Sequence, residues 1–176
     1  MELNDTIKWQ PEYTGSGRFG KWLEGLVDWN LSRSRFWGTP LPIWATEDYS
    51  EMKCIGSVEE LMGEIEKSIT AGFMTENPYA SFKVGDMSAE NYSTDHLDLH
   101  KPYVDSIILV SSKGEPMRRE SDLIDVWFDS GAMPYAQLHY PFENADKFDT
   151  VFPADFVAEG VDQTRGLSVP QHSASV

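Results

Sequence analysis

The stretch D-F-V-A-E-G-V-D-Q, residues 155–163, carries the reading of the fold. Asp155 to Ala158 is a short apolar run bounded by Pro153 and Gly160, the layout of a buried strand. Glu159, Asp162 and Gln163 follow at once, and Asp162 is placed to cap a helix that begins there. Polar residues just past a strand's carboxyl end, ahead of a helix, sit where open α/β sheets hold ligands. By residue type alone the turn has two readings. It is a solvated acidic turn, or it is a set of carboxylate and amide oxygens that accept hydrogen bonds from a ligand.

Upstream, the segment D-V-W-F-D-S-G, residues 125–131, is similarly open. Trp127 and Phe128 between two acids form either a core strand with acidic ends or a flat apolar wall beside a ligand. Periodicity leaves Leu123 to Phe128 undecided between strand and helix.

Other elements are plainer. Phe19, Trp22, Leu23, Leu26 and Val27 fall on one face of a helix. Pro40 and Pro42 break regular structure after it. Ser57 and Glu60 have the capping-box spacing, in which each side chain satisfies the other's backbone N–H. Val58, Leu61, Met62, Ile65 and Ile69 give that helix its apolar stripe, and Gly72 ends it. Tyr103 to Val110 reads as a strand, Ser111–Gly114 as a turn, and Glu115–Arg119 as the returning hairpin partner. Residues 75–91 are turn-rich, without an assigned element.

Composition narrows the function classes. The chain has 176 residues and a formal charge of −15. Phosphate contacts need clustered Lys and Arg, so there is no clear nucleic-acid-binding patch. The one locally basic stretch is Arg33 and Arg35 beside Phe36 and Trp37, and that aromatic group, with Trp29, reads first as core. Cys54 is the lone cysteine, which excludes an intramolecular disulfide and fits a reducing compartment. No apolar run approaches membrane-spanning length and no signal-peptide layout opens the chain, so a cytoplasmic location with no membrane partner is expected. His96 and His100 have metal-like spacing, but Pro102 and the absence of an obvious third ligand argue against zinc.

Three separated segments together resemble the isoleucyl-tRNA synthetases of class I. They are W-L-E-G-L-V-D-W-N-L-S-R-S-R-F-W-G-T-P-L-P-I-W (residues 22–44), L-H-K-P-Y-V-D (99–105) leading to D-L-I-D-V-W-F-D-S-G-A-M-P-Y-A (122–136), and F-P-A-D-F-V-A-E-G-V-D-Q-T-R-G (152–166). Valyl and leucyl enzymes share the architecture, but V-W-F-D-S-G and E-G-V-D-Q-T-R-G favour isoleucine.

The resemblance implies an α/β fold, part of a nucleotide-binding, Rossmann-like core with an inserted α+β connective-peptide lobe. Residues 1–40 would return from an editing insertion to the core, 41–121 would form the lobe, 122–166 would rejoin the core, and 167–176 would be an unrelated disordered tail. It also implies that Glu159, Gly160, Asp162 and Gln163 line an isoleucyl-adenylate pocket, with Trp127 as part of its isoleucine wall. No residue here is expected to act as a covalent catalyst. The implied partners are ATP, entering as Mg-ATP, isoleucine and tRNA(Ile).

Departures from the family pattern matter too. The H-I-G-H and K-M-S-K-S signatures that grip ATP phosphates are missing, Leu167 stands where the family has a pocket Trp, and Ser111-Ser112-Lys113-Gly114 replaces a cysteine pair. The chain is therefore expected to be inactive by itself and to bind no zinc. The alternatives are a free-standing binding or interaction module, or the equivalent segment of a valyl-type enzyme.

Overall fold

The computed structural model describes residues 2–158. In chain order its elements are helix α1 (Glu2–Asp5), a π-helical turn (Thr14–Phe19), α2 (Gly20–Glu24), strands β1 (Ser32–Arg33), β2 (Ile43–Ala45) and β3 (Met52–Cys54), helix α3 (Val58–Thr70), a 3-10 turn (Val104–Ser106), strands β4 (Ile108–Val110), β5 (Pro116–Arg119) and β6 (Leu123–Ile124), and helices α4 (Val126–Ala136) and α5 (Ala145–Val151). They fall into two compact units, Ser32–Ile124 and a discontinuous one made of residues 2–31 with 125–158. Helix and sheet are mixed, as expected. Every strand pair among the described residues is antiparallel.

Ser32–Ile124 is built on a four-stranded sheet in the order β3-β2-β5-β4, with a separate β1-β6 ribbon. That ribbon places Ser32 to Thr39 with the sheet unit, ahead of the boundary at residue 40 expected from the motifs. The hairpin read from residues 108–119 forms, with Leu109 opposite Met117. Its first arm is shorter than expected, because Val104–Ser106 makes a helical turn before the strand begins.

Helix α3 follows from local chemistry. Ser57 accepts from the Glu60 N–H at 3.1 Å. The Glu60 carboxylate reaches the Gly56 N–H at 2.7 Å, one residue upstream of the N–H a capping box uses. At the other end Gly72 has φ +82°, and the N–H groups of Gly72 and Phe73 return to the carbonyls of Ile69 and Ser68. This is a Schellman motif, which needs a left-handed residue where Gly72 stands. Leu61 and Ile65 are buried against Trp44, Ile107, Leu109 and Met117. Each fully buried side chain of this size contributes about 1.5–3 kcal/mol. Trp44 donates its indole N–H to the Ile107 carbonyl at 3.0 Å, and Ser68 donates to the Ile108 carbonyl at 2.5 Å, so the polar atoms of this core are matched.

The turn-rich stretch is organised by Asn91. Its side chain accepts from the Lys83 N–H and donates to the carbonyls of Lys83 and Asp86, all within 2.9 Å. Tyr79 and Phe82 from the same stretch enter the core.

The discontinuous unit is held by aromatic contacts. Phe19 is fully buried, 5.0 Å from the Trp9 ring and 6.0 Å from Trp22. A Cβ on Gly15 would lie 2.2 Å from Trp9 Cδ1, so only glycine admits this indole. Tyr135, Tyr140, Phe148 and Phe152 form a second cluster, with Tyr140 and Phe148 stacked at 4.2 Å.

Two expectations are corrected and one open reading is decided. The helix expected through Val27 stops at Glu24, because Gly25 takes its C-cap, and Leu26 and Val27 are exposed. Residues 125–131 are not a core strand: α4 starts at Val126. Asp155 to Ala158 forms no strand, and Phe156 is 84% exposed. A strand must pair its backbone N–H and C=O groups, and no described strand runs beside these four residues. The turn Glu159–Gln163 and the tail from Leu167 lie outside the described residues.

Candidate functional site

Of the residues expected to line a ligand pocket, Trp127 lies in the described part. It occupies the first turn of α4, and its side chain is half exposed beside exposed Val126 and Phe128. A wall of this kind covers a ligand well but is not a core position. Glu159, Gly160, Asp162 and Gln163 lie outside the described residues.

The start of α4 is tightly specified. Asp125 is the N-cap and is 3% exposed. Its Oδ1 accepts the Trp127 N–H at 3.0 Å, and its Oδ2 accepts the indole N–H of Trp29 at 3.1 Å. The Asp125 N–H donates to the Leu31 carbonyl at 2.8 Å. A carboxylate this buried carries a large desolvation cost, and both oxygens need such donors to offset it. In the sequence Asp125 reads only as an acid beside Trp127, and Trp29 as part of an aromatic group. Their pairing has no local signal, since 96 positions separate them.

The other candidate residues occupy the sheet unit. Phe36 and Trp37 are exposed, which corrects the core reading of that aromatic group. Trp37 stacks on the His100 ring at 4.6 Å and 10°. His100 Nδ1 lies 3.0 Å from Asp98 Oδ1, while His96 Nδ1 lies 3.0 Å from Ser81 Oγ, so the two histidines have different partners. Among the described residues no three His, Cys, Asp or Glu side chains converge as a metal site, and Cys54 is exposed.

A cleft of about 180 Å³ is lined by Tyr79, Asp95, His96, Asp98 and Tyr103 among others. Ligand pockets are generally larger, from about 300 Å³ upward. The Tyr79 phenol donates to the Asp98 carbonyl at 2.9 Å. Burial, with the Asp98 carboxylate adding to it, pushes its pKa up to about 12, so it stays a neutral donor. The cleft therefore holds a structural hydrogen bond and no activated nucleophile.

Known proteins supply what this geometry leaves open. Residues 1–170 match the family model for class I tRNA synthetases (I, L, M and V). The chain is 67% identical to the isoleucine–tRNA ligase of Bacteroides fragilis over 98% of its length, 66% identical to that of Porphyromonas gingivalis over 97%, and 46% identical to that of Clostridium acetobutylicum over 94%. The chain belongs to the class I tRNA synthetase family.

It spans 14–15% of the length of these curated relatives. The class I synthetase match runs to residue 170, past Gly166, where the quoted motifs end. No helix among the described residues of this synthetase segment is long and apolar enough to cross a membrane.

Proposed function

We propose that this chain is an internal part of a cytoplasmic isoleucine–tRNA ligase, which activates isoleucine with ATP and transfers it to tRNA(Ile). The observation that carries this reading is 67% identity, over 98% of the chain, to proteins named isoleucine–tRNA ligase. The mixed α and β content and the acidic surface are compatible with it: a chain of charge −15 would leave most tRNA contacts to the rest of the polypeptide.

Within this reading, residues 1–40 and 122–166 belong to a Rossmann-like catalytic core and residues 41–121 to an inserted lobe. Glu159, Gly160, Asp162 and Gln163 line the isoleucyl-adenylate pocket, and Trp127 walls the isoleucine side chain. These side chains position substrates. The amino-acid carboxylate attacks the α-phosphate of Mg-ATP, a step that rests on orientation and charge stabilisation. The lobe is expected to hold no zinc in this reading, because Cys54 is the lone cysteine and His96 and His100 have no obvious third ligand.

The test is pyrophosphate exchange with the whole polypeptide that contains this chain. Exchange that depends on isoleucine and is far weaker with valine or leucine is expected, with charging of tRNA(Ile). A preference for valine would overturn the reading in favour of a valyl-type enzyme. The chain by itself should show no exchange above a buffer blank, since it lacks the phosphate-gripping signatures.

A further inference from the structure

We propose that Trp29 and Asp125 are positioning residues for the isoleucine pocket: together they set where the first turn of α4, and with it the Trp127 ring, stands. The inference rests on the functional reading above, which places Trp127 against the isoleucine side chain. Trp127 is the second residue of α4, so its N–H has no carbonyl of a preceding turn to donate to and is held by the N-cap instead. That cap is a buried carboxylate with one oxygen on the Trp127 N–H and the other on the Trp29 indole. The Asp125 backbone is tied in turn to Leu31, two residues beyond Trp29, and its carbonyl accepts the Phe128 N–H at 2.8 Å. The segment Trp29–Leu31 thus grips the helix start at side chain and main chain. A displacement of a few tenths of an ångström in an apolar wall alters the fit of a branched side chain. It leaves contacts to a nucleotide untouched.

The experiment is isoleucine-dependent pyrophosphate exchange by the whole polypeptide, comparing Trp29→Phe, Asp125→Ser and the double variant. Phenylalanine keeps the apolar ring and removes only the donor, while serine keeps an N-cap acceptor and removes the oxygen that faces Trp29. Each single variant should raise KM for isoleucine about three- to tenfold, the size expected for one lost hydrogen bond, with KM for ATP nearly unchanged; the melting temperature of Trp29→Phe should fall as well, because a buried carboxylate oxygen loses its donor. The double variant should be no worse than the worse single, because both remove the same contact. Unchanged KM for isoleucine, a parallel rise in both KM values, or additive losses in the double would overturn the proposal. Trp29→Phe decides alone if Asp125→Ser does not fold. An active enzyme with unaltered variants sinks only this proposal, whereas a wild-type polypeptide without isoleucine-dependent exchange sinks the functional reading on which it rests.

Discussion

The guanidinium of Arg119, with its side chain 1% exposed, is held against the carboxylate of Asp105: Nε donates to Oδ1 at 2.6 Å, and Nη2 is ion-paired with the same oxygen. Its Nη1 donates to the carbonyls of Asp122 and Leu41, at 3.0 and 3.3 Å. One buried cation therefore joins β5 to the turn before β4 and to the neighbouring backbone of Leu41 and Asp122.

Replacing Arg119 with Met should destabilise the sheet unit by about 2–4 kcal/mol, because two carbonyls and a carboxylate lose their donor together. Asp105→Asn should cost less, since the Asp105 side chain keeps 32% of its exposure and water reaches it. Urea denaturation of this chain measures both, and equal losses would show that the carbonyl contacts are immaterial.

The two ends of α3 make a second test. Ser57→Ala should cost about 1 kcal/mol through the lost N-cap. Gly72→Ala should cost about 1–2 kcal/mol from its positive φ alone, because a Cβ there meets no atom within 4 Å. A neutral Gly72→Ala would mean that the helix ends differently in solution.

Acid should loosen the sheet unit in a defined direction. Glu51 accepts from the Ser112 hydroxyl at 2.6 Å and from its N–H, and these bonds hold its pKa below the ordinary 4.5. At Glu64 burial acts upward, but Lys53 and Lys67 outweigh it and the net shift is downward. A carboxylate depressed in the fold stabilises it fully above the unfolded value, and that contribution disappears as pH falls through the lowered folded value. Thermal midpoints at about pH 7 and about pH 3 should therefore differ more for the wild type than for Glu51→Gln. An identical acid loss in the variant would remove Glu51 from the account.

Metal content is a direct check on the zinc-free reading. Protein purified without a metal-binding tag should contain well under one zinc per chain, since a tetrahedral site needs four convergent donors. A stoichiometric value would overturn it.

Asp162 tests the proposed adenylate pocket in the whole polypeptide. Asp162→Ala should slow adenylate formation by roughly tenfold to a hundredfold, the loss of a hydrogen bond to a desolvated partner. Hydrolysis of mischarged tRNA should persist. A helix-capping role predicts instead about 1 kcal/mol of lost stability with near-normal exchange.

Helix α3 and the hairpin 108–119 were legible because their signals are local: Ser57 and Glu60 lie three apart, Gly72 closes the last turn, and Ser111–Gly114 joins strands that pair at once. The family was legible for another reason, since motifs in series preserve order and spacing whatever their surroundings. Residues 125–131 and 155–158 resisted, because an apolar run of three residues satisfies a strand and a helix equally until something pairs with it. Asp125 settled the first case by capping α4 with Trp29 as its second partner, and Asp155 to Ala158 has no strand beside it. Sequence alone determined the elements whose hydrogen bonds close within a few residues. The tertiary structure alone decided Trp29 with Asp125, Arg119 with Leu41 and Asn91 within its loop, because a buried polar group takes whatever partner folding brings within hydrogen-bonding distance, however distant in the chain.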